Sequence, residues 1–283
     1  MSSRWLPYWL IAPALLFTLG LFVYPSALVT LQAFAAKDGS GLSLEHLRTM
    51  AEHWKFNKAL GNTLMLALLV IPLQLAMALA MAQMLSRIQR GRDTLLYIWT
   101  IPLGISDLAA GIIWLAIFEQ SGFLNTLMMG LGVISQPTSF LGYADAGTTL
   151  MAVVLAEVWR ATAIVLVIVV SGMGLIPKEY GEAAEVFGAS AWQKFRRVTL
   201  SLLKPSLQTA LVLRTILAFE VFAVVAALSG TQYTVLMGET YTWQFTLQDG
   251  NVAAAYAMVI LGISIASTVF YLRVLRTPEG VRA

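Results

Sequence analysis

The chain has 283 residues, of which 58% are hydrophobic and 12% charged, with a formal net charge of +3 and no cysteine. That much apolar surface exceeds what one soluble core hides, so the class is an integral membrane protein. The small charge, with apolar runs between the basic residues, excludes a nucleic-acid face, and the missing cysteines exclude disulfides, thiolate metal sites and cysteine nucleophiles.

Six apolar segments reach the roughly 20 residues that cross a bilayer, within a single transmembrane domain over residues 1–283. The first, Tyr8 to Leu31, follows one charge, Arg4, and outruns a signal-peptide core without a small-residue cleavage site, so it reads as a retained span. The others run Leu60 to Leu85, Leu95 to Phe118, Thr149 to Ser171, Leu207 to Leu228 and Val252 to Leu272. Each is predicted helical, because hydrocarbon leaves no partner for an exposed backbone amide. In the third, Asp107 lies between Pro102, Gly104 and Gly111, which predicts a kink.

An even number of crossings puts both termini on one side. Arg4, Arg87, Arg90, Arg92, Lys178, Lys194, Arg196, Arg197, Lys204, Arg273, Arg276 and Arg282 fall there. The opposite loops, near 35–57, 119–148 and 229–251, hold Lys37, Arg48, Lys55 and Lys58 against Asp38, Glu45, Glu52, Glu119, Asp145, Glu239 and Asp249. The positive-inside rule makes both termini cytoplasmic.

The second inner loop, residues 177–204, is unusually mixed in composition. Pro177 suits a helix start. Tyr180, Ala183, Ala184 and Phe187 then share one face at helical spacing, with Glu179, Glu182 and Glu185 on another. Gly188 supplies a left-handed helix end, and Ser190 with Gln193 forms a capping box for a second helix bearing Trp192, Phe195, Thr199 and Leu202. One reading is an amphipathic loop on the headgroups. The other is a helix inserted in a partner's cleft, which the adjacent alanines favour because small side chains permit close backbone approach.

The stretch EAAEVFGASAWQKFRRVTL, beginning at Glu182, resembles the EAA loop of bacterial ABC-importer permeases. Glu182, Ala183, Ala184 and Gly188 match at the family's spacing, and Ser201 stands where the family usually has proline. Further similarity to maltose-type sugar permeases lies in LIAPALLFTLGLFVYPSAL, in NTL from Asn62, in IPLGISDLAAGIIWLAIF, in GFLNTLM, and in AEVWRATAIVLVIVVSGMGLIPKEYGEAAE. SGTQ at 229–232 departs from the family's Thr-Gly-Gly-Gly-Pro turn. The resemblance implies an all-α, six-helix type I importer permease in a bacterial or archaeal inner membrane. It also implies a sugar or oligosaccharide cargo, a second and different permease chain, two ATPase subunits and an extracytoplasmic binding protein. Tyr180, Glu182, Ala183, Ala184, Phe187 and Gly188 would then couple to an ATPase. The chain has no G-x-x-x-x-G-K-[ST] loop, so ATP and magnesium are expected on the partner and no cofactor here.

Ionisable residues inside spans mark functional candidates. Asp107, Glu157, Arg160, Phe219, Glu220 and Phe222 are taken as substrate-pathway candidates, and Arg214 joins Arg160 as a candidate helix lock. Glu157 and Arg160, three apart, form a possible pair. Trp114 and Trp159 read as packing residues. His46 and His53 read as solvated, with no third ligand for zinc. No nucleophile–base pair supports a membrane enzyme; an ion-gradient transporter working through Asp107, Glu157 and Glu220 is the alternative.

Overall fold

Since no lipid hydrogen-bonds a peptide, the chain satisfies its backbone along its own helices. The computed structural model describes residues 6–37, 41–88, 90–142, 146–230 and 232–275. Arg4, Asp38, Asp145, Arg276 and Arg282, used above to orient the chain, lie outside them.

In chain order, α1 (Leu6–Thr18) passes through a π turn into α2 (Tyr24–Phe34), followed by α3 (Glu45–Glu52) and the long α4 (Phe56–Leu85). Next come α5 (Arg92–Thr100), a 3-10 turn at Ile101–Gly104, α6 (Asp107–Phe118), α7 (Phe123–Gly130) and the long α8 (Ala146–Gly174). Then follow α9 (Lys178–Val186), α10 (Ala191–Lys194), a π turn at Phe195–Thr199, α11 (Leu200–Leu202) and α12 (Lys204–Phe219). The chain continues through α13 (Ala223–Ser229), α14 (Leu236–Tyr241), a π turn at Thr242–Thr246 and α15 (Gly250–Val274).

Five stretches are long and apolar enough to cross a membrane: Tyr8–Phe34, Phe56–Leu85, Asp107–Gly130, Gly147–Gly174 and Gly250–Val274. Ala191–Leu202 with Lys204–Phe219 makes a sixth, bent by 68°. The third expected span is thus two pieces. The predicted kink falls after the 3-10 turn, and Ser106 restarts the helix by accepting a hydrogen bond from the Ala109 amide at 3.2 Å. The fifth expected span, Leu207 to Leu228, is also broken, at residues 220–222, where Phe222 leaves helical geometry at φ −143°.

Three buried clusters run along the bundle. Two share the end that carries α3: one joins α4, α6, α8 and α13 around Leu66, Val153 and Val224, the other joins α3, α4, α12 and α15 around Met50, Phe219 and Tyr256. The third, at the α9 end, gathers Ala82, Leu85, Leu166, Val169 and Leu203. By contrast, no residue from Tyr8 to Val23 is buried.

The segment expected as a third outer loop, 229–251, is instead partly folded into the bundle. Leu236 and Glu239 are buried at 0% and 3% exposure. The reason is a polar fixture on α4: Asn62 Nδ2 donates to the Thr234 carbonyl at 2.8 Å, and the Leu236 amide donates to Thr63 Oγ1 at 2.9 Å. The NTL motif is therefore the clasp that satisfies a buried backbone. Asn125, from GFLNTLM, does the same for the second outer loop: its Nδ2 donates to the Thr138 carbonyl and its Oδ1 accepts from the Thr138 amide, both at 2.8 Å. His46 also departs from expectation. It is 3% exposed on α3, because α3 packs against α2 and α15 rather than lying free in solvent.

Two glycines set the closest crossings. A Cβ on Gly111 would lie 2.6 Å from Ala227 Cβ, fixing α6 on α13, and one on Gly172 would lie 2.2 Å from Ser206 Oγ, fixing α8 on α12. Gly111→Leu is therefore expected to lower stability by ~1–3 kcal/mol through overpacking. The drop should appear in the apparent melting temperature of the purified protein, whereas Gly262→Ala, with no atom within 4 Å of the added carbon, should leave it unchanged.

Candidate functional site

The segment between α8 and α12 is built to hold one shape. α9 ends in a Schellman arrangement: the Ala189 amide donates to the Ala184 carbonyl and the Gly188 amide to the Glu185 carbonyl, both at 2.9 Å. Gly188 carries the required positive φ, +75°. Immediately afterwards both bonds of the Ser190–Gln193 capping box are present and start α10. Lys194 then pairs with Glu185, clipping α10 to α9. The helical path continues through the π turn and α11, past Ser201, to Leu203, which is fully buried, and bends there into α12. Pro205 opens α12, where a missing amide proton costs nothing.

This clipped unit leaves large apolar side chains without cover. Val186 and Phe187 are 85% and 89% exposed. Tyr180, Glu182 and Ala183 are exposed as well, while Ala184 is half-buried. Among the described residues no contact uses the Glu182 carboxylate. The result is a rigid turn with an apolar tip at Val186 and Phe187 and an acidic flank at Glu182.

Inside the bundle, residues far apart in sequence form one charge network. Arg214 on α12 donates from Nε to Gln74 Oε1 at 2.6 Å and from Nη2 to Glu157 Oε2 at 2.7 Å. Gln74 Nε2 in turn donates to the Glu157 carbonyl at 2.8 Å. Arg160 reaches Asp107 Oδ1 at 2.7 Å, joining α8 to the start of α6, and lies 3.7 Å from Glu157 Oε1. Arg214 and Glu157 are each 2% exposed at the side chain, whereas Asp107 is 49% exposed. The network is therefore sealed at Arg214 and open at Asp107.

The substrate-pathway candidates divide accordingly. Asp107 and Arg160 sit at the accessible end. Glu157 does not line an open path, because its carboxylate is engaged by Arg214 in the core. Phe219 is also removed from the expected path: it is 5% exposed in the core. The break after it sends its neighbours to different places. Glu220 is exposed and lines an open groove of about 410 Å³ with Met237, Leu261, Ser264 and Thr268. Phe222 stacks on Tyr241 with ring centroids 5.0 Å apart. The three do not form a single aromatic-flanked carboxylate.

Phe222 instead borders a pocket of about 150 Å³ with Lys55, Tyr233, Thr234, Glu239 and Thr242. Glu239 accepts from Thr234 Oγ1 at 2.5 Å and lies 3.8 Å from Lys55 Nζ, while its Oε2 has no hydrogen-bond partner. Lys55 and Glu239 had been assigned to outer loops. The only sequence signal for this pocket was the polar pair Asn62–Thr63, which holds the segment bearing Glu239 against α4. Trp114 and Trp159 pack on each other at 6.0 Å, as expected of packing residues.

A model of the family described as binding-protein-dependent transport system inner membrane component matches residues 74–277. The chain is similar to the sulfoquinovosyl glycerol transport system permease protein SmoG of Agrobacterium fabrum, at 29% identity over 99% of this chain and 93% of that one. It is also similar to the trehalose/maltose transport system permease protein MalF of Thermococcus litoralis, at 30% identity over 72% and 69% of the two chains. In fold it matches a chain of a bacterial ABC transporter involved in the import of the acidic polysaccharide alginate, with a TM-score of 0.80 and 20% identity, covering 99% of this chain and 96% of that one.

The network makes a double-mutant test direct. Arg214→Leu strands Glu157 in the core and is expected to destabilise by ~3–5 kcal/mol, whereas Arg214→Leu combined with Glu157→Gln should recover much of that loss. Melting of the purified single and double variants measures the coupling; simple additivity would show that the two side chains act independently.

Proposed function

The chain belongs to the family of binding-protein-dependent transport system inner membrane components, and from that premise we propose that it is the permease subunit of an ATP-driven importer for a sugar or sugar derivative. Support for the cargo comes from the relatives, whose names specify sulfoquinovosyl glycerol and trehalose/maltose. In this reading the chain pairs with a second, different permease, two cytoplasmic ATPase subunits and an extracytoplasmic binding protein. A related fold has been crystallised with a bound periplasmic protein carrying an alginate pentasaccharide.

The observation that carries the mechanism is the rigid segment from α9 to α12. ATP and magnesium are held by the partner ATPase, since the sequence has no phosphate loop of its own. Val186 and Phe187 enter a groove of that subunit, Glu182 meets a cation there, and closure of the ATPase pair swings α9 and α10 as one body. The 68° bend at Leu203 passes that motion into α12. From α12 it reaches α8 through Gly172 and Ser206 and the Arg214–Glu157 pair, biasing two states of the bundle. Residues 177–204 therefore face the cytoplasm, as do both termini, in agreement with the concentration of Arg87, Arg90, Arg92, Lys178, Arg196 and Arg197 on that side.

The accessible part of the substrate path is assigned to Asp107, Arg160, Glu220 and Phe222, with acids accepting sugar hydroxyls and the ring covering an apolar sugar face. An ion-gradient mechanism gains little from the geometry: of its three carboxylates, Asp107 and Glu157 are each committed to an arginine, which leaves Glu220 alone to carry an ion.

Glu182→Lys and Phe187→Asp are expected to abolish co-purification of the ATPase subunits and ATP-dependent uptake while leaving the melting temperature of the isolated chain unchanged. Retained ATPase and uptake in both variants would overturn the docking assignment. A separate check of the path is Asp107→Asn, which should reduce uptake while the ATPase still co-purifies.

A further inference from the structure

Between the second half of α4 and the start of α10 lies an open groove of about 500 Å³, away from the apolar tip and from the charge network. Its floor is one face of α4, where Ala76, Ala80 and Gln83 recur at spacings of four and three and so stack in a line, continued by Arg87 in the turn just past the helix end. Trp192 and Phe195 form the other wall, their rings 5.7 Å apart. From Ala76 to its end at Leu85 the helix rises ~14 Å, close to the ~15 Å depth of one leaflet's hydrocarbon.

The chemistry changes along that line in the order a phospholipid does. The deep part is small and apolar, leaving room for a chain. Toward the surface Gln83 presents Oε1, buried and without a hydrogen-bond partner. At the rim Arg87 has no carboxylate partner among the described residues, nor do Arg196 and Arg197 in the π turn beside Phe195. Trp192, 66% exposed, supplies the amphipathic ring typical of the headgroup level. A packed helix from another protein would leave the Gln83 acceptor and this uncompensated positive charge unanswered; an anionic headgroup answers both.

We propose that this groove binds one anionic glycerophospholipid of the cytoplasmic leaflet. One acyl chain lies along Ala76 and Ala80, the phosphate meets Arg87, and a headgroup hydroxyl donates to Gln83 Oε1. The lipid bridges α4 and α10, so it steadies the base of the coupling segment on the bundle. Its depth and leaflet rest on the cytoplasmic placement proposed above; its chemistry does not.

The test uses the intact transporter in nanodiscs of phosphatidylcholine with an equal part of phosphatidylglycerol, followed by native mass spectrometry. Phosphatidylglycerol is expected to be retained preferentially, and Arg87→Gln should reduce that retention about five-fold, the weight of one cation at an anionic surface. Equal retention of both lipids, or retention indifferent to Arg87→Gln in an assembled complex, overturns the proposal. Should Arg87→Gln fail to assemble, a photo-crosslinking amino acid in place of Ala80 decides. A phospholipid adduct supports the site, and a crosslink to another permease chain shows that protein covers the groove and overturns it. Loss of ATPase co-purification in the Glu182→Lys variant leaves lipid retention unchanged, so failure of the docking reading and failure of the lipid site are distinguishable.

Discussion

A charge inside a bilayer must find its partner within the protein, and the bundle is organised around one place where this happens. Arg214, 2% exposed, is held by Gln74 from α4 and Glu157 from α8. Three helices from distant parts of the sequence are thereby fixed in register. Hydrocarbon offers little driving force for helix association, so directional hydrogen bonds and close packing have to specify it. The glycine crossings at Gly111 and Gly172 supply the second ingredient, allowing α6 to seat on α13 and α8 on α12. A network that is buried around the Arg214–Glu157 pair and open at Asp107 gives the bundle a fixed core and an accessible margin.

The coupling segment follows the opposite logic. Its hydrogen bonds are local and internally closed by the Schellman turn and the capping box, with the Lys194–Glu185 pair across them. The consequence is mechanical: a displacement of α9 is carried to α12, where a flexible loop would absorb it. The helical path runs unbroken to Leu202 despite serine at position 201, and Pro205 marks the bend two residues after Leu203. The helical path from α10 therefore ends at the start of α12 and not at position 201.

What could be read in advance was whatever is encoded locally. Span lengths follow from hydropathy, and Gly188, Ser190 and Gln193 state their roles within a few residues. The Pro102–Gly104 kink is likewise a short-range property. The breaks and pairings that depend on tertiary context were not legible. Nothing near Glu220 in sequence announces that α12 ends at Phe219, because the break separates a core ring from an exposed carboxylate and a ring stacked on Tyr241. Glu239 reads as a loop acid in sequence because its burial beside Thr234 and the half-buried Lys55 depends on Asn62 and Thr63 far upstream. Glu157 was correctly paired in principle with Arg160, but its stronger partner, Arg214, is 57 positions away.

The four ionised members of the central network, Asp107, Glu157, Arg160 and Arg214, sum to zero. A charge crossing the whole membrane field gains or loses ~2.3 kcal/mol per 100 mV, so an unbalanced cluster of this size would tie the two states of the bundle to the membrane potential. Because the acids and arginines are matched and tied to one another, a common displacement of the four carries no net gating charge. A shift of this cluster as one body is thereby indifferent to the transmembrane voltage, and the voltage-sensitive charge of the fifth span is left to Glu220, which has no ion pair among the described residues.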